Sequence, residues 1–352
     1  MIETSMNTDH DTAKEREPAG KSDGRRDSRR RCHTSAVLPV LACLISACGS
    51  AQRTTSSPVT AGAAESSTTR TQPGAIDDVA ALHTTACDKG DPASCVTLGN
   101  MFEKGRGVGK DEVRAVALYT KACEANYANG CSILGFMFLN GSGVVKDDAH
   151  AAALFTKACD AGDAQGCSNL GFAFAKGIGV IKDEARAVNL CTQACEQGHA
   201  AGCSNLALMF ANGRSVDKDE ARAAALYTKA CEGGYAEGCY SLGFAFAKGI
   251  GVRQNSARAT ELFAKACETG DAVGCFSAGF AFANGLGVNK DDMRSATFYT
   301  KACEGGYAAG CSNLREMFEK GRGVSKDAAR AASAFARSCA LGHRPACAAG
   351  PK

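Results

Sequence analysis

The sequence predicts an all-α fold, a right-handed αα-superhelix of about seven helix-turn-helix units of 36 residues each. Three observations lead to this prediction. Cysteine pairs with C-x7-C spacing recur with a strict period of 36 residues between residues 87 and 347, a period typical of helical solenoids. Each period contains two apolar patterns with helical spacing. Glycines and N-capping residues separate these two patterns, as expected for a hairpin of helices.

Composition excludes several classes of protein. The 352 residues carry a net charge of +3, from 40 basic and 37 acidic residues, so we expect no nucleic-acid partner. Twenty cysteines are too many for a reducing compartment unless they bind metal. The six histidines are scattered, however, and no CxxC spacing of a metal site occurs. We therefore expect an oxidising compartment, no metal and no cofactor.

The first 47 residues have the features of a bacterial signal peptide. A basic stretch precedes an apolar run of 12 residues at 36–47, which is too short to span a bilayer. The run ends in Ile-Ser-Ala-Cys, which resembles a lipobox and predicts lipidation of Cys48. A lipobox ending at Cys43 would leave an apolar tail on the mature protein, so Cys48 is preferred. Ordinary cleavage near Ala47, and with it secretion, is the alternative.

Lipidation would hold the protein at the bacterial cell envelope, facing the periplasm or the exterior. Residues 48–74 are rich in Ser, Thr, Ala and Gly and have no apolar periodicity. We expect them to form a flexible tether with a root-mean-square reach of roughly 25–30 Å. The repeat solenoid is predicted to occupy residues 75–350.

The unit at 130–159 illustrates the first helix of a hairpin. Cys131, Leu134, Gly135 and Phe138 lie at i, i+3, i+4 and i+7, which places them on one helical face. The glycine-rich turn that follows ends this helix, because glycine adopts backbone angles that other residues resist.

The second helix is predicted to begin at an N-cap, Asp147, and to direct Ala151, Leu154, Phe155 and Ala158 towards the core. The equivalent caps in the other units are Asp111, Asp183, Asp219, Asn255, Asp291 and Asp327. Gly or Asn follows each second helix, as expected for a left-handed C-cap, at Asn126, Gly162, Gly198, Gly234, Gly270 and Gly306. Basic residues three positions after most caps are interpreted as solvated helix faces and local charge pairs, at Arg114, Arg186, Arg222, Arg258, Arg294 and Arg330.

These residues resemble the Sel1-like repeat family, a relative of the tetratricopeptide repeats. The shared pattern is L-G-x-x-[FY]-x-x-G-x-G-V-x-x-D-x-x-[KR]-A-x-x-[LFY]-x-K-A, and it recurs over roughly 87–349. With its cysteine pairs, the chain is most similar to the cysteine-rich Sel1-like proteins first known from Helicobacter. The resemblance implies a tetratricopeptide-like solenoid with a protein or peptide partner. It also implies an alternative, because weak penicillin binding or β-lactamase activity has been assigned to some of these proteins.

Two disulfide pairings bring the cysteines within reach of each other. Pairing at i, i+28 would leave Cys87 and Cys347 without partners, whereas pairing at i, i+8 uses all sixteen and also matches the resembled family. The predicted disulfides, one at each junction, are Cys87–Cys95, Cys123–Cys131, Cys159–Cys167, Cys195–Cys203, Cys231–Cys239, Cys267–Cys275, Cys303–Cys311 and Cys339–Cys347. Cys191 remains, at a core position where other units have Tyr or Phe, and is either a buried filler or a reactive thiol.

A candidate binding surface lies five positions after the first cysteine of each unit, about 140° from it around the helix. Phe136, Phe172, Leu208, Phe244 and Phe280 occupy this position in the middle units, and they either grip a partner's apolar segment or pack between units. Two positions after the cysteine, Asn169 and Asn205 are predicted to point outward, where they would bond a peptide backbone as asparagines do in related repeats.

Catalytic patterns are sparse in this sequence. One S-x-x-K spacing occurs, Ser215 to Lys218, but no S-D-N or K-T-G sequence follows it. Ser215 replaces a loop glycine of the repeat, and Lys218 is the ordinary loop lysine. The sequence therefore predicts no catalytic residue, and the favoured function is a scaffold for protein–protein or protein–peptide interaction. A weak β-lactamase or penicillin-binding enzyme is the alternative.

Overall fold

A computed structural model of the chain describes residues 73–342. The predicted signal peptide, Cys48 and nearly all of the predicted tether lie outside the described residues, as does Cys347. Between residues 73 and 342 the chain forms fifteen α-helices and no strand, which confirms the predicted all-α fold. No helix in this part of the chain is long and apolar enough to cross a membrane.

The helices form one leading helix followed by seven hairpins. Their bounds are α1 (Pro73–Asp88), α2 (Pro92–Lys104), α3 (Glu112–Glu124), α4 (Ala128–Asn140), α5 (Asp148–Asp160), α6 (Ala164–Lys176), α7 (Glu184–Glu196), α8 (Ala200–Asn212), α9 (Glu220–Glu232), α10 (Ala236–Lys248), α11 (Ser256–Glu268), α12 (Ala272–Asn284), α13 (Asp292–Glu304), α14 (Ala308–Lys320) and α15 (Ala328–Ala340). Even-numbered helices are the first helices of hairpins, and odd-numbered helices from α3 onward are the second helices. The predicted 36-residue solenoid of seven hairpins is confirmed.

The leading helix α1 starts earlier than the sequence indicated. It begins at Pro73, two residues before the predicted start of the solenoid at residue 75. Proline is favourable in the first turn, because its missing N–H would have no helical partner there and its φ angle is already helical. The last residues assigned to the tether therefore belong to a helix.

The predicted caps of the second helices are confirmed. In α5 the Asp147 carboxylate accepts a hydrogen bond from the backbone N–H of His150 at 2.9 Å. In α11 the amide oxygen of Asn255 accepts from the N–H of Arg258 at 3.0 Å. At the other end of α5, Gly162 has a φ of 88°, the left-handed conformation expected after a helix.

The first six hairpins close on a small residue, glycine or, in α8, Ala207. A Cβ atom at Gly135 of α4 would lie 2.7 Å from the Phe155 ring of α5, so only glycine allows this approach. Ala151, Leu154 and Phe155 are buried as predicted. Phe138 is half-buried and packs against the core, on the predicted face of α4.

Phe138 makes a ring contact at the edge of the hairpin. The Phe138 ring lies 4.3 Å from the His150 ring, centroid to centroid, in the first turn of α5. Met137, one position earlier, is also buried, with 2% exposure, which was not predicted.

Disulfides join each second helix to the first helix of the next hairpin. Seven of the eight predicted pairs are present, from Cys87–Cys95 to Cys303–Cys311, with Cα–Cα distances of 4.4 to 4.7 Å. The eighth pair includes Cys347, which is outside the described residues. Seven disulfides indicate an oxidising, extracytoplasmic compartment.

The first and second helices form two layers. Consecutive first helices α4, α6, α8 and α10 contact one another directly across hairpins, whereas second helices make comparable contacts only at the end of the array, from α11 to α15. The first helices therefore lie closer together in the middle of the array and form its inner layer.

Candidate binding surface on the first helices

Three positions of each first helix share one side of that helix. They are two, five and nine positions after the helix's cysteine, and their side chains are exposed or half-buried. We call these positions in the five middle hairpins the inner face. Its residues are Ile133, Phe136, Asn140, Asn169, Phe172, Lys176, Asn205, Leu208, Asn212, Ser241, Phe244, Lys248, Ser277, Phe280 and Asn284.

The aromatic residues of the inner face divide into two groups. Phe136 and Phe172 are half-buried, as is Leu208. Phe244 and Phe280 are each 44% exposed, and they lie on α10 and α12, two first helices in contact. The C-terminal part of the inner face thus presents two neighbouring aromatic rings to solvent, while the N-terminal part covers more of its rings.

The two asparagines predicted to point outward are half-buried instead. The Nδ2 atom of Asn169 is buried and makes no hydrogen bond within residues 73–342. Asn205 occupies the same register on α8. Both therefore lie in the inner face, but less exposed than a helical wheel of an isolated helix indicates.

Lysine and asparagine alternate strictly at the last position of the first helices, a pattern that the sequence reasoning missed. From α2 to α14 these residues are Lys104, Asn140, Lys176, Asn212, Lys248, Asn284 and Lys320. At the two ends the lysines have carboxylate partners, Glu103 for Lys104 and Glu316 for Lys320. In the middle, the Lys248 ammonium lies 6.0 Å from the centroid of the Phe244 ring.

In the first hairpin, a hydrogen-bonded group of polar side chains stands where the middle hairpins have Phe or Leu five positions after the cysteine. Asn100 of α2 stands at this position. The Tyr119 hydroxyl donates to Glu103 Oε2 at 2.8 Å and lies 3.0 Å from Asn100 Oδ1. Burial and the Glu103 carboxylate both raise the pKa of Tyr119 well above its ordinary value, so the phenol stays neutral.

The last hairpin departs from the repeat in a different way. Arg315 replaces the glycine that elsewhere allows close approach, and its guanidinium lies 5.4 Å from the centroid of the Phe335 ring on α15. Its Nε is 3.2 Å from Glu319 Oε1. The array therefore ends on charged side chains that cover an aromatic ring.

Ser215 and Lys218 lack the arrangement found in penicillin-recognising enzymes. Both lie in the loop between α8 and α9, so the spacing does not place them on one helical turn. The Lys218 ammonium pairs with Glu220 Oε1 at 2.7 Å. Nothing in this geometry provides a base for the serine hydroxyl.

Cys191 is a core residue. Its side chain is fully buried, and a Cβ atom at Gly171 would lie 2.7 Å from its sulfur. Burial raises the pKa of the thiol to about 12. The interpretation as a buried filler is confirmed, since a protonated and inaccessible thiol is unreactive.

The arginines after the second-helix caps are exposed, and Arg114, Arg186, Arg294 and Arg330 pair with their cap carboxylates, which confirms the predicted solvated faces and local pairs. They also lie over aromatic rings, which was not predicted. Arg222 lies 4.2 Å from the centroid of the Phe210 ring, across its own hairpin. The same stacking recurs for Arg114 on Phe102, Arg186 on Phe174, Arg258 on Phe246, Arg294 on Phe282 and Arg330 on Phe318. The constant spacing of 12 residues between ring and guanidinium is the signal that could have revealed it.

Comparison with known proteins identifies the repeat. A family model of the Sel1 repeat matches seven consecutive segments, 92–127, 128–163, 164–199, 200–235, 236–271, 272–307 and 308–343. The chain belongs to the Sel1 repeat family. The predicted resemblance is confirmed, and the seven Sel1 repeats coincide with the seven hairpins.

Solved Sel1 repeat structures are similar to this array. The structure of c5321, a protective antigen of uropathogenic Escherichia coli strains with an SLR fold, is 27% identical with a TM-score of 0.55, covering 78% of this chain and 63% of that chain. The present chain thus spans less than two thirds of that protein. A Sel1 repeat protein from Oxalobacter formigenes is 24% identical with a TM-score of 0.56, covering 64% of this chain and 96% of that chain.

Cysteine-rich protein B from Helicobacter pylori is 31% identical over 38% of this chain and 96% of that chain, with a TM-score of 0.32. No curated protein sequence matches the chain. The comparisons therefore establish the Sel1 repeat and its solenoid fold.

Proposed function

We propose that this protein is a binding scaffold of the bacterial cell envelope, which holds a partner protein along the inner face of its Sel1 array. One observation above all supports this proposal: Phe244 and Phe280 are both exposed, at the same register of two first helices that contact each other. Exposed neighbouring aromatic rings typically mark a surface that binds an apolar segment of another protein. Solenoids offer such extended surfaces and use them for protein interaction.

The enzyme alternative has no comparable support. Ser215 lies in a loop, and the nearby Lys218 is engaged by Glu220. Among the described residues no group of three or more His, Cys, Asp and Glu side chains could hold a metal ion. The geometry thus supports binding rather than β-lactam hydrolysis.

The proposed domain arrangement places the array outside the cytoplasm. Residues 1–47 would be removed as a signal peptide, Cys48 would carry lipid, and the tether at 48–74 would separate the array from the membrane. The seven disulfides support export. Mass spectrometry of the mature N-terminus tests the anchor: lipid should disappear in Cys48→Ala and persist in Cys43→Ala, and the reverse pattern would overturn the assignment.

The binding proposal is tested by comparing exposed apolar residues of the first helices with exposed apolar residues of the second helices. In cells, partners are fixed to the protein by chemical crosslinking, and the crosslinked species are quantified. The double variant Phe244→Ala/Phe280→Ala should lose them by roughly tenfold or more, the effect of removing two buried aromatic anchors. The matched control is Val113→Ala/Met293→Ala on the second helices, where these side chains are 67% and 70% exposed.

The control variant should retain the crosslinked species. Loss in the control variant together with retention in the inner-face variant would place the binding surface on the outer layer and contradict the proposal.

A further inference from the structure

Lys248 differs from the lysines that end the first helices of the two terminal hairpins. It ends α10, and Asn212 and Asn284 occupy the same register on the two adjacent first helices. Its ammonium lies over the exposed Phe244 ring and forms no ion pair within residues 73–342. Lys104 and Lys320, at the same register in the terminal hairpins, each have a carboxylate partner on their own helix.

The middle of the inner face contains no carboxylate. In the five helices α4, α6, α8, α10 and α12 the only acidic residue is Glu237. Glu237 is in the first turn of α10, at the opposite end from Lys248, and its carboxylate accepts a hydrogen bond from the Tyr235 hydroxyl at 3.2 Å. The charge on this part of the inner face is therefore positive, and no acidic side chain there competes for the cation.

Charge and apolar surface meet at one place, around Lys248, Phe244 and Phe280. A cation beside partly covered aromatic rings favours a carboxylate partner, because the surrounding medium screens the pair less than bulk water does. The amide groups of Asn212 and Asn284 add donors and acceptors on both sides. A basic segment would meet uncompensated repulsion at this site.

We propose that the inner face recognises an acidic-apolar segment of the partner protein, in which a carboxylate pairs with Lys248 and two apolar side chains cover Phe244 and Phe280. This inference rests on the proposed function and specifies the chemistry of its partner.

The spacing of the helices indicates how such a segment would lie on them. Neighbouring helices pack roughly 8–10 Å apart. A polyproline II segment rises about 3.1 Å per residue with three residues per turn, so side chains at i and i+3 lie on one side about 9 Å apart. The preferred partner sequence therefore has apolar residues at i and i+3 and an Asp or Glu at one of the two positions between them.

An immobilised peptide array tests this chemistry with the full-length protein. The array holds twelve-residue peptides with leucine or phenylalanine at i and i+3, and the two residues between them are drawn from Glu, Gln, Lys, Ala and Pro. Peptides with Glu should bind roughly tenfold better than their Gln counterparts, the effect of one charged contact. In Lys248→Gln this preference should vanish, and in Lys248→Glu it should shift towards Lys-containing peptides.

Lys320→Gln is the matched control, because it removes the same charge at the same register of a hairpin where Glu316 already neutralises it. This variant should keep the preference for Glu. An unchanged preference in Lys248→Gln, a preference of the unaltered protein for Gln or Lys peptides, or binding to no peptide would each overturn the inference. The proposed function fails separately, when crosslinked partners persist in Phe244→Ala/Phe280→Ala.

Discussion

Ser215 stands where every other hairpin has glycine in the loop between its two helices. Its φ angle is 52°, in the left-handed region that disfavours residues with a Cβ atom. The equivalent Gly179 shows why glycine is preferred, because a Cβ atom there would lie 1.9 Å from the carbonyl oxygen of Asp148. The loop before α9 therefore contains local backbone strain.

Replacing Ser215 by Gly should raise the free energy of unfolding by about 1 kcal/mol, because glycine adopts the left-handed conformation without the steric cost of a Cβ atom. Urea unfolding of the purified, disulfide-intact protein measures the change. Ser142→Gly is the control: Ser142 lies between two loop glycines without a positive φ, so glycine there should cost up to about 1 kcal/mol. A loss of stability in Ser215→Gly would show that its hydroxyl has a role in the loop.

The thiol of Cys191 should be inert in the folded protein. Burial raises its pKa to about 12, so only about one molecule in ten thousand carries the thiolate at pH 8. Iodoacetamide at pH 8 should leave the peptide that contains Cys191 unmodified, as judged by mass spectrometry, and should modify it in denaturant without reductant. Rapid modification of the native protein would restore the interpretation as a reactive thiol.

At the level of the hairpin, the sequence predicted the features that depend on local hydrogen bonds. A capping side chain bonds to a backbone N–H three residues later, as Asp219 does to the N–H of Arg222 at 2.8 Å, so residue type and position suffice to find it. Contacts across the hairpin depend on the rotation of one helix against the other. The stacking of Arg222 on Phe210 and the burial of Met137 were missed for this reason.

The cap of α9 provides a direct test of local stability. Asp219→Ala should lower the free energy of unfolding by about 1 kcal/mol, because the N–H of Arg222 loses its acceptor. Asp219→Asn should be close to neutral, since Asn255 already performs this role in α11. Calorimetry of both variants measures the difference, and equal destabilisation would indicate that charge rather than the hydrogen bond stabilises the helix.

The disulfides stabilise the junctions between hairpins. Removing Cys231–Cys239 with Cys231→Ala/Cys239→Ala should lower the free energy of unfolding by about 2.5 kcal/mol, the chain entropy regained by a loop of this length. Because each hairpin contacts its neighbours, we also expect the unfolding transition to broaden as the two halves of the array separate. Urea unfolding followed by circular dichroism checks both effects. An unchanged midpoint would mean that packing alone holds the junction.

Across the whole array, the period of 36 residues determined the fold prediction, because repetition places equivalent residues in equivalent environments. The sequence indicated the register of the candidate surface but not the exposure of each of its residues, and binding there stays a prediction. Phe136 is half-buried whereas Phe244 is exposed, although both obey the same repeat. Exposure depends on neighbouring hairpins, which a single-helix pattern does not represent. The alternation of lysine and asparagine was missed because it has twice the period of the repeat.

Partner binding through the inner face is tested most directly by site-specific photocrosslinking in living cells. A photoreactive phenylalanine analogue replaces Phe280 on the inner face or, in a second variant, Met293 on a second helix. These residues are 44% and 70% exposed, so the control site is the more accessible of the two. We predict one discrete crosslinked partner from position 280 and none from position 293. Crosslinking from position 293 alone, or from neither position, would contradict binding through the inner face.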